Sequence, residues 1–285
     1  MGEREVVDRT DAPLTTDRLR ADLRELGVTP GETALVHSSL SAIGWVAGGV
    51  PTVVDALLGA VTATGTVAVP THSTQLSDPT HWENPPVPDE WVDAIRAEAA
   101  PYRPEVTPTR GMGAVPECLR DYPGTFRSRH PTTSFAAWGA DAERVTADHA
   151  YDSPMGEDSP LARLYDLDAL IVRIGVDANT SLHLAEYRAD YDGDPESNGG
   201  PVLVDGAREW VEFAEPESRD DFREIEAAFE TERGVATERE ADSDLGVGPE
   251  REDGVWRGRV GDAEAEICRM RSLVDFAVEW MEQNR

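Results

Sequence analysis

The chain has 285 residues, enough to bury one substantial α/β core. It carries 56 acidic residues against 26 basic ones, for a formal net charge of −30, and every basic residue is arginine. A surface so acidic repels nucleic acid and anionic membrane, which argues against both as partners.

From the N-terminus, "TTDRLRADLRELGVTPGE" predicts a helix with Leu19, Leu23 and Leu26 on one face and Gly27 closing it. "TALVHSS" reads as a short buried strand. A glycine-containing loop then leads into a helix over "GVPTVVDALLGAV", with Pro51 near its first turn. "GTVAVPT" is the next strand, and this order makes a parallel βαβ unit the expected arrangement. A proline-rich irregular section follows from Thr71 to about Arg110, of the length usual for a lid or binding loop. "GMGAVPECLRDYPG" holds a short helix, and "DALIVRIGV" is a second strongly apolar strand. "PVLVDGAREWVEFAE" predicts a hairpin turning at Asp205-Gly206. An amphipathic helix over "RDDFREIEAAFETERG" comes next, then an acidic loop over "EREADSDLGVGPEREDG". "AEAEICRMRSLVDFAVEWMEQ" supplies a strand-like piece and a final helix. Ligands of α/β sheets gather at the carboxyl ends of strands. His37, Ser38, Ser39, Thr71, His72 and the segment Asp177 to Glu186 are therefore expected on one rim.

Several constellations carry chemistry. In "DANTSLHLAEYR", Asn179 or Thr180 is placed to cap a helix on which His183 and Glu186, three apart, share a face. Such a pair suits a general base whose imidazole is oriented by a carboxylate; the plain alternative is a structural histidine bonded to its neighbour. "VHSSLSAIGWVAGG" brings hydroxyls and glycines to a strand exit, where they could bind phosphate or simply form a small-residue turn; it is neither GxGxxG nor a Walker loop. Arg127, Arg129 and His130 could hold a phosphate, but pairing with the abundant surface carboxylates is the safer reading. His72, Asp78, His81 and His183 lack metal-ligand spacing. Cys118 and Cys268 form no CxxC, against a zinc knuckle or disulfide framework. No apolar run approaches a membrane span and no leader pattern opens the chain, so a soluble cytoplasmic protein is expected. The acidity itself reads as adaptation to high salt, because the acids are spread along the whole chain; attraction of a cationic ligand is its other possible meaning.

In this order, "LVHSSLSAIG", "GTVAVPT", "TPTRGMG", "RSRHPTTSFAAWG", "DSPLARL" and "IGVDANTSLHLAEYR" resemble the aminoglycoside N(3)-acetyltransferase (antibiotic N-acetyltransferase) family from about Leu19 to Arg188. The resemblance implies a three-layer α/β/α sandwich with an acidic C-terminal α+β extension. One domain is expected over 1–285, its core at about 15–190 and a substrate-side portion at about 191–285. It also implies acetyl-coenzyme A as donor, no metal, a small-molecule amine as acceptor, and a monomer or homodimer. His37, Ser38, Ser39, Gly48, Gly49, Met112, Gly113, Arg129, Ser134 and Phe135 are similar to the family's coenzyme site. His183, with Glu186 and Glu215, matches its catalytic set, and Asp78, Glu215 and Glu217 would face the acceptor. Direct transfer in a ternary complex with His183 as base is expected ahead of an acyl-enzyme, with Ser38 or Ser39 as nucleophile the open alternative. Two other classes stand beside it: a metal-dependent hydrolase, and a catalytically idle relative that binds coenzyme A.

Overall fold

The computed structural model describes residues 3–236 and 254–285. Helix α1 (Glu3–Arg9) precedes α2 (Thr16–Leu26) and strand β1 (Thr33–Ser38). Next come α3 (Leu40–Ile43), α4 (Val50–Val61), β2 (Thr66–Pro70), α5 (Val92–Glu98) and α6 (Ala114–Arg120). The middle of the chain forms β3 (Phe126–Arg127), β4 (Phe135–Gly139), α7 (Ala142–Thr146), α8 (Pro160–Asp166), β5 (Leu170–Ile174) and α9 (Leu182–Arg188). The remainder is β6 (Glu196–Val204), β7 (Ala207–Glu215), α10 (Phe222–Arg233), β8 (Val235–Ala236), β9 (Val255–Val260), β10 (Ala263–Arg269) and α11 (Met270–Asn284). The acidic stretch at 238–253 lies outside the described residues.

Among the described residues, eight strands form one mixed sheet in the order β3-β4-β2-β1-β5-β10-β9-β8. Strand β1 runs parallel to both β2 and β5. These three are nearly continuous apolar runs because both faces of the sheet are covered, which removes any reason for polar alternation. One covering layer packs Leu19 and Leu23 of α2, Leu57 and Val61 of α4, and Leu119 of α6. The opposite layer packs Leu161 of α8, Leu184 of α9, Phe229 of α10 and Leu273 of α11. Helix α2 begins at Thr15, whose hydroxyl accepts from the Arg18 amide, and stops at Gly27, where φ is 123° and a side chain would be strained.

Two expectations change. The last third of the chain is no extension. Strand β10 lies antiparallel beside β5 and β9 continues the sheet, while α11 packs against α9. "VWRGRV" and "AEAEICR" place charges on their outer positions and apolar residues on their inner ones, which is how a strand covered on one side completes a sheet. The segment after Arg127 contains a strand as well: Phe135–Gly139 pairs antiparallel with β2. The hairpin β6–β7 turns at Asp205-Gly206 and forms a separate two-stranded ribbon.

Candidate active site

The parallel pairing of β1 with β5 sets the exits of both strands side by side. The Ser39 amide donates to the Ile174 carbonyl at 3.0 Å. His37 is buried there, and its Nε2 accepts from the Thr180 amide at 3.1 Å and contacts the Thr180 hydroxyl at 2.9 Å. Because that nitrogen is an acceptor, the ring proton sits on Nδ1, which has no partner. Burial, with Arg173 adding to it, holds the His37 pKa at about 3, so the ring is neutral. Thr180 is thus committed to His37. Asn179 Oδ1 instead accepts from the amide and hydroxyl of Ser181, at 3.1 and 2.6 Å. Neither is the N-cap: Ser181 occupies that place and makes no side-chain cap bond.

The short helix α9 carries the pair. His183 Nδ1 lies 2.7 Å from Glu186 Oε2, and the Glu186 carboxylate is buried while the imidazole is about one-third exposed. A carboxylate at Nδ1 requires the proton there, which leaves the Nε2 lone pair free; among the described residues Nε2 makes no hydrogen bond. Phe222 packs edge-on against the ring at 5.0 Å. The other Glu186 oxygen accepts from both terminal nitrogens of Arg285 at 3.2 Å, and Arg285 also clasps Asp221.

His183 opens on a cavity of about 280 Å³ lined with it by His72, Thr133, Met155, Glu186, Tyr187, Glu196, Glu215, Pro216 and Ser218. His72 is held there by its strand exit. The Thr71 and Ser73 amides donate to Ser134 and Thr132 carbonyls at 2.8 Å, and the Arg110 amide donates to the His72 carbonyl at 2.9 Å. Burial first, then the fields of His183, His37, His130 and Arg127, keep His72 neutral, with its pKa at about 3. Among the described residues, three buried polar atoms on this rim have no partner: His37 Nδ1, Ser38 Oγ and His72 Nε2. Unpaired groups of this kind are costly inside a protein unless a ligand satisfies them.

The expected residues divide. His183, Glu186 and Glu215 meet at the cavity. His37, Ser38 and Ser39 form the β1 exit, although the Ser39 hydroxyl contacts Ser41. Gly48 and Gly49 have φ of 88° and 74° at the start of α4, and nothing stands within 4 Å of a side chain built on Gly49. Gly113 lies 3.7 Å from the Ser38 carbonyl by the same construction, with half-buried Met112 beside it. Ser134 and Phe135 sit behind the rim: both are fully enclosed, the Ser134 hydroxyl donating to the Thr71 carbonyl at 2.8 Å and the Phe135 ring meeting His72. Arg129 is exposed and lines a different cleft, with Arg120 and Phe126.

Asp78 likewise stands apart. Its carboxylate is paired with Arg96, and although its burial opposes ionisation, the bonds from Arg96 and Thr80 outweigh that and hold its pKa below the usual range. Its amide donates to Asn198 Oδ1, and Asn198 Nδ2 donates to Glu215 Oε2 at 2.9 Å, so the lid reaches the cavity indirectly. Glu217 faces Arg219 at 3.5 Å outside the cavity lining, whereas Glu196 lines the cavity. That placement follows from the two-residue turn, whose register sets Glu196 directly opposite Glu215.

Arg127 also differs from expectation. Among the described residues it pairs with no carboxylate; its guanidinium is directed to the carbonyls of Thr71, Pro104 and Thr107 and the hydroxyls of Thr71, Ser73 and Ser134. The four groups weighed as a metal set are not one cluster, since Asp78 is on Arg96 and His81 Nε2 contacts the Ser197 carbonyl at 2.7 Å. Among the described residues no helix is long and apolar enough to cross a membrane.

A family model described as aminoglycoside 3-N-acetyltransferase matches residues 35–244. The chain is 39% identical over 285 residues to the SPbeta prophage-derived aminoglycoside N(3')-acetyltransferase-like protein YokD of Bacillus subtilis (strain 168), covering 99% of this chain and 97% of that protein. It is 40% identical to aminoglycoside N(3)-acetyltransferase VII of Streptomyces paromomycinus, over 99% and 96% of the two chains. Among solved structures, YokD superposes with a TM-score of 0.88 at 38% identity, covering 99% of this chain and 98% of that one. AAC-VIa bound to sisomicin gives 0.79 at 30% identity, over 96% and 99%. AAC-IIIb in binary complex with CoASH gives 0.77 at 29%, over 95% and 97%.

Proposed function

The chain belongs to the aminoglycoside 3-N-acetyltransferase family and is an N-acetyltransferase, and on that premise we propose that it moves an acetyl group from acetyl-coenzyme A to an amine of a polycationic small molecule, with His183 as general base. The observation that carries the reading is the free Nε2 of His183 facing a cavity walled by Glu186, Glu196 and Glu215.

The rim fits the coenzyme. Unpartnered His37 Nδ1 and Ser38 Oγ supply donors, and the left-handed Gly48-Gly49 turn at the head of α4 lets a ligand approach backbone amides. Acetyl-coenzyme A would supply an activated acyl thioester. The protein's own part is to bind, orient and move one proton. Glu196 and Glu215, directly opposed across a hairpin, repel one another until a cation lies between them. An ammonium group satisfies that demand and arrives protonated, so a base must take a proton before its nitrogen is nucleophilic. Nε2 of His183 takes one proton from the ammonium and Glu186 stabilises the imidazolium that results; the second proton shed as the C–N bond forms leaves with the departing coenzyme thiolate when the C–S bond breaks. The absence of a base hydrogen-bonded to Ser38 among the described residues, with His37 Nε2 occupied by Thr180, favours direct transfer over an acyl-serine.

Thiol release from acetyl-coenzyme A, followed with a panel of aminoglycosides and other polyamines in concentrated salt, tests the reading. Release above background with at least one polyamine is expected, and its absence across the panel would overturn it. His183→Gln should lower kcat by about 100-fold or more while coenzyme affinity measured by calorimetry stays unchanged.

A further inference from the structure

Arg285 is the feature of this site that the transfer reading leaves unused. Its side chain is 1% exposed, and that of Glu186 is 3% exposed. The guanidinium gives both terminal nitrogens to Glu186 Oε1 at 3.2 Å. It gives Nε and one terminal nitrogen to Asp221 at 2.9 and 2.6 Å, and it stacks 4.9 Å from the centre of the Tyr191 ring. Helices α9 and α11 and the start of α10 thus meet in one chain of contacts: His183, Glu186, Arg285, Asp221.

We propose that Arg285 is a positioning residue, one that holds the Glu186 carboxylate aimed at His183 Nδ1 so that Nε2 stays directed to the cavity. The argument concerns what a buried carboxylate does without a permanent cation. Left with His183 alone, Glu186 has two ways to lower the cost of its charge. It can take up a proton, and then it no longer accepts cleanly from Nδ1. Alternatively it can hold His183 as an imidazolium, and then no lone pair remains on Nε2. Either state disables the base. A guanidinium never loses its proton in this range, so Arg285 supplies the countercharge independently of His183. Asp221 offsets the remaining positive charge. The other groups packed around the chain are the Tyr187 and Tyr191 rings, Arg219, which donates to the Arg285 carbonyl at 3.3 Å, and the cavity face of His72, Glu196 and Glu215. Burial lowers the guanidinium's own pKa, but Asp221 and Glu186 more than offset this and leave it raised.

The proposal rests on the acetyl-transfer reading, and its test separates the two. In the free protein, nitrogen NMR of His183 reports its protonation without any substrate. The wild type should show the Nδ1 proton held by Glu186 with an acceptor Nε2, and Arg285→Met a ring that has lost that pattern. With substrates, Arg285→Met should lose about 100-fold in kcat/KM at pH 7, with the acid limb of the rate profile moved up by about one pH unit or more and activity recovering toward pH 9. Arg285→Lys, which keeps the charge but not the fork, should stay within about tenfold with the acid limb in place. In a Glu186→Gln background, Arg285→Met should add little, because its target is gone. An unchanged His183 spectrum in Arg285→Met, or an activity loss with an unshifted acid limb, would overturn the proposal. Should Arg285→Met fail to fold, Arg285→Lys decides: loss of activity with an unmoved limb and an unchanged His183 spectrum would refute it. If the NMR change appears while no amine is acetylated, the positioning role stands and the transfer reading falls.

Discussion

Acid should unfold this protein well before its carboxylates titrate, because its histidines are buried neutral. His37 and His72 are held at about 3 and His130 at about 4, chiefly by burial, whereas an unfolded chain protonates each near 6.5. His149 is depressed in the same direction by burial and by neighbouring His130. Below 6.5 the unfolded chain therefore binds more protons than the native one. The stabilisation is complete above that pH and is lost as pH falls toward 3. At pH 5 each of the three costs about 2 kcal/mol, so together they remove roughly 6 kcal/mol from a total that for most domains is only about 5–15 kcal/mol. The carboxylates most perturbed by hydrogen bonds, such as Glu117 at about 2, scarcely contribute in this window, since their unfolded forms titrate below pH 5. Denaturant melts at pH 7 and pH 5, in molar salt to screen the acidic surface, should show the midpoint collapse. His72→Gln should reduce the loss between the two pH values by about 2 kcal/mol. A stability that changes by less than about 1 kcal/mol between pH 7 and 5 would refute the reasoning.

Other outcomes follow from the same contacts. Glu196→Gln and Glu215→Gln should each raise KM for polycationic amines by about tenfold with a smaller effect on kcat, read from initial rates at fixed ionic strength. Arg127→Met takes the guanidinium from the carbonyls of Thr71, Pro104 and Thr107 and the hydroxyls of Thr71, Ser73 and Ser134, of which the Thr71 carbonyl keeps a second donor in Ser134, and should cost about 3–5 kcal/mol in denaturant unfolding. Thr180→Val removes the hydroxyl from His37 Nε2 but keeps the amide bond, so coenzyme affinity should fall by no more than about tenfold while the melting temperature holds within a few degrees.

Legibility along the chain followed the range of the interactions. The βαβ unit, Gly27, and the Asp205-Gly206 turn depend on residues near in sequence, and their patterns stood out. The His183–Glu186 contact did too, since three residues on a helix bring two side chains together whatever surrounds them. The strand-like piece at "AEAEICR" is legible as well, but its seat beside β5 is not, because that depends on a partner far back in the chain. Arg127 reads as a surface ion pair because side chains announce their charge, whereas the backbone carbonyls that hold it are invisible in a sequence. The partner of Asp78 is hidden too: Arg96 lies eighteen residues on. Glu196 was discoverable, by counting back from the hairpin turn to the residue opposite Glu215.

The seat of β10 between β5 and β9 has a consequence for how the molecule is made. Strand β5 leaves the ribosome with β1 available to pair on one side, yet its other flank waits for residues 263–269. Until they emerge, the backbone of an apolar segment stays open to any stray strand, which is the usual route to aggregation in slow, long-range topologies. Expression should therefore be limited by the final stretch of translation, and shortening the chain after residue 254 should yield inclusion bodies instead of a smaller working enzyme.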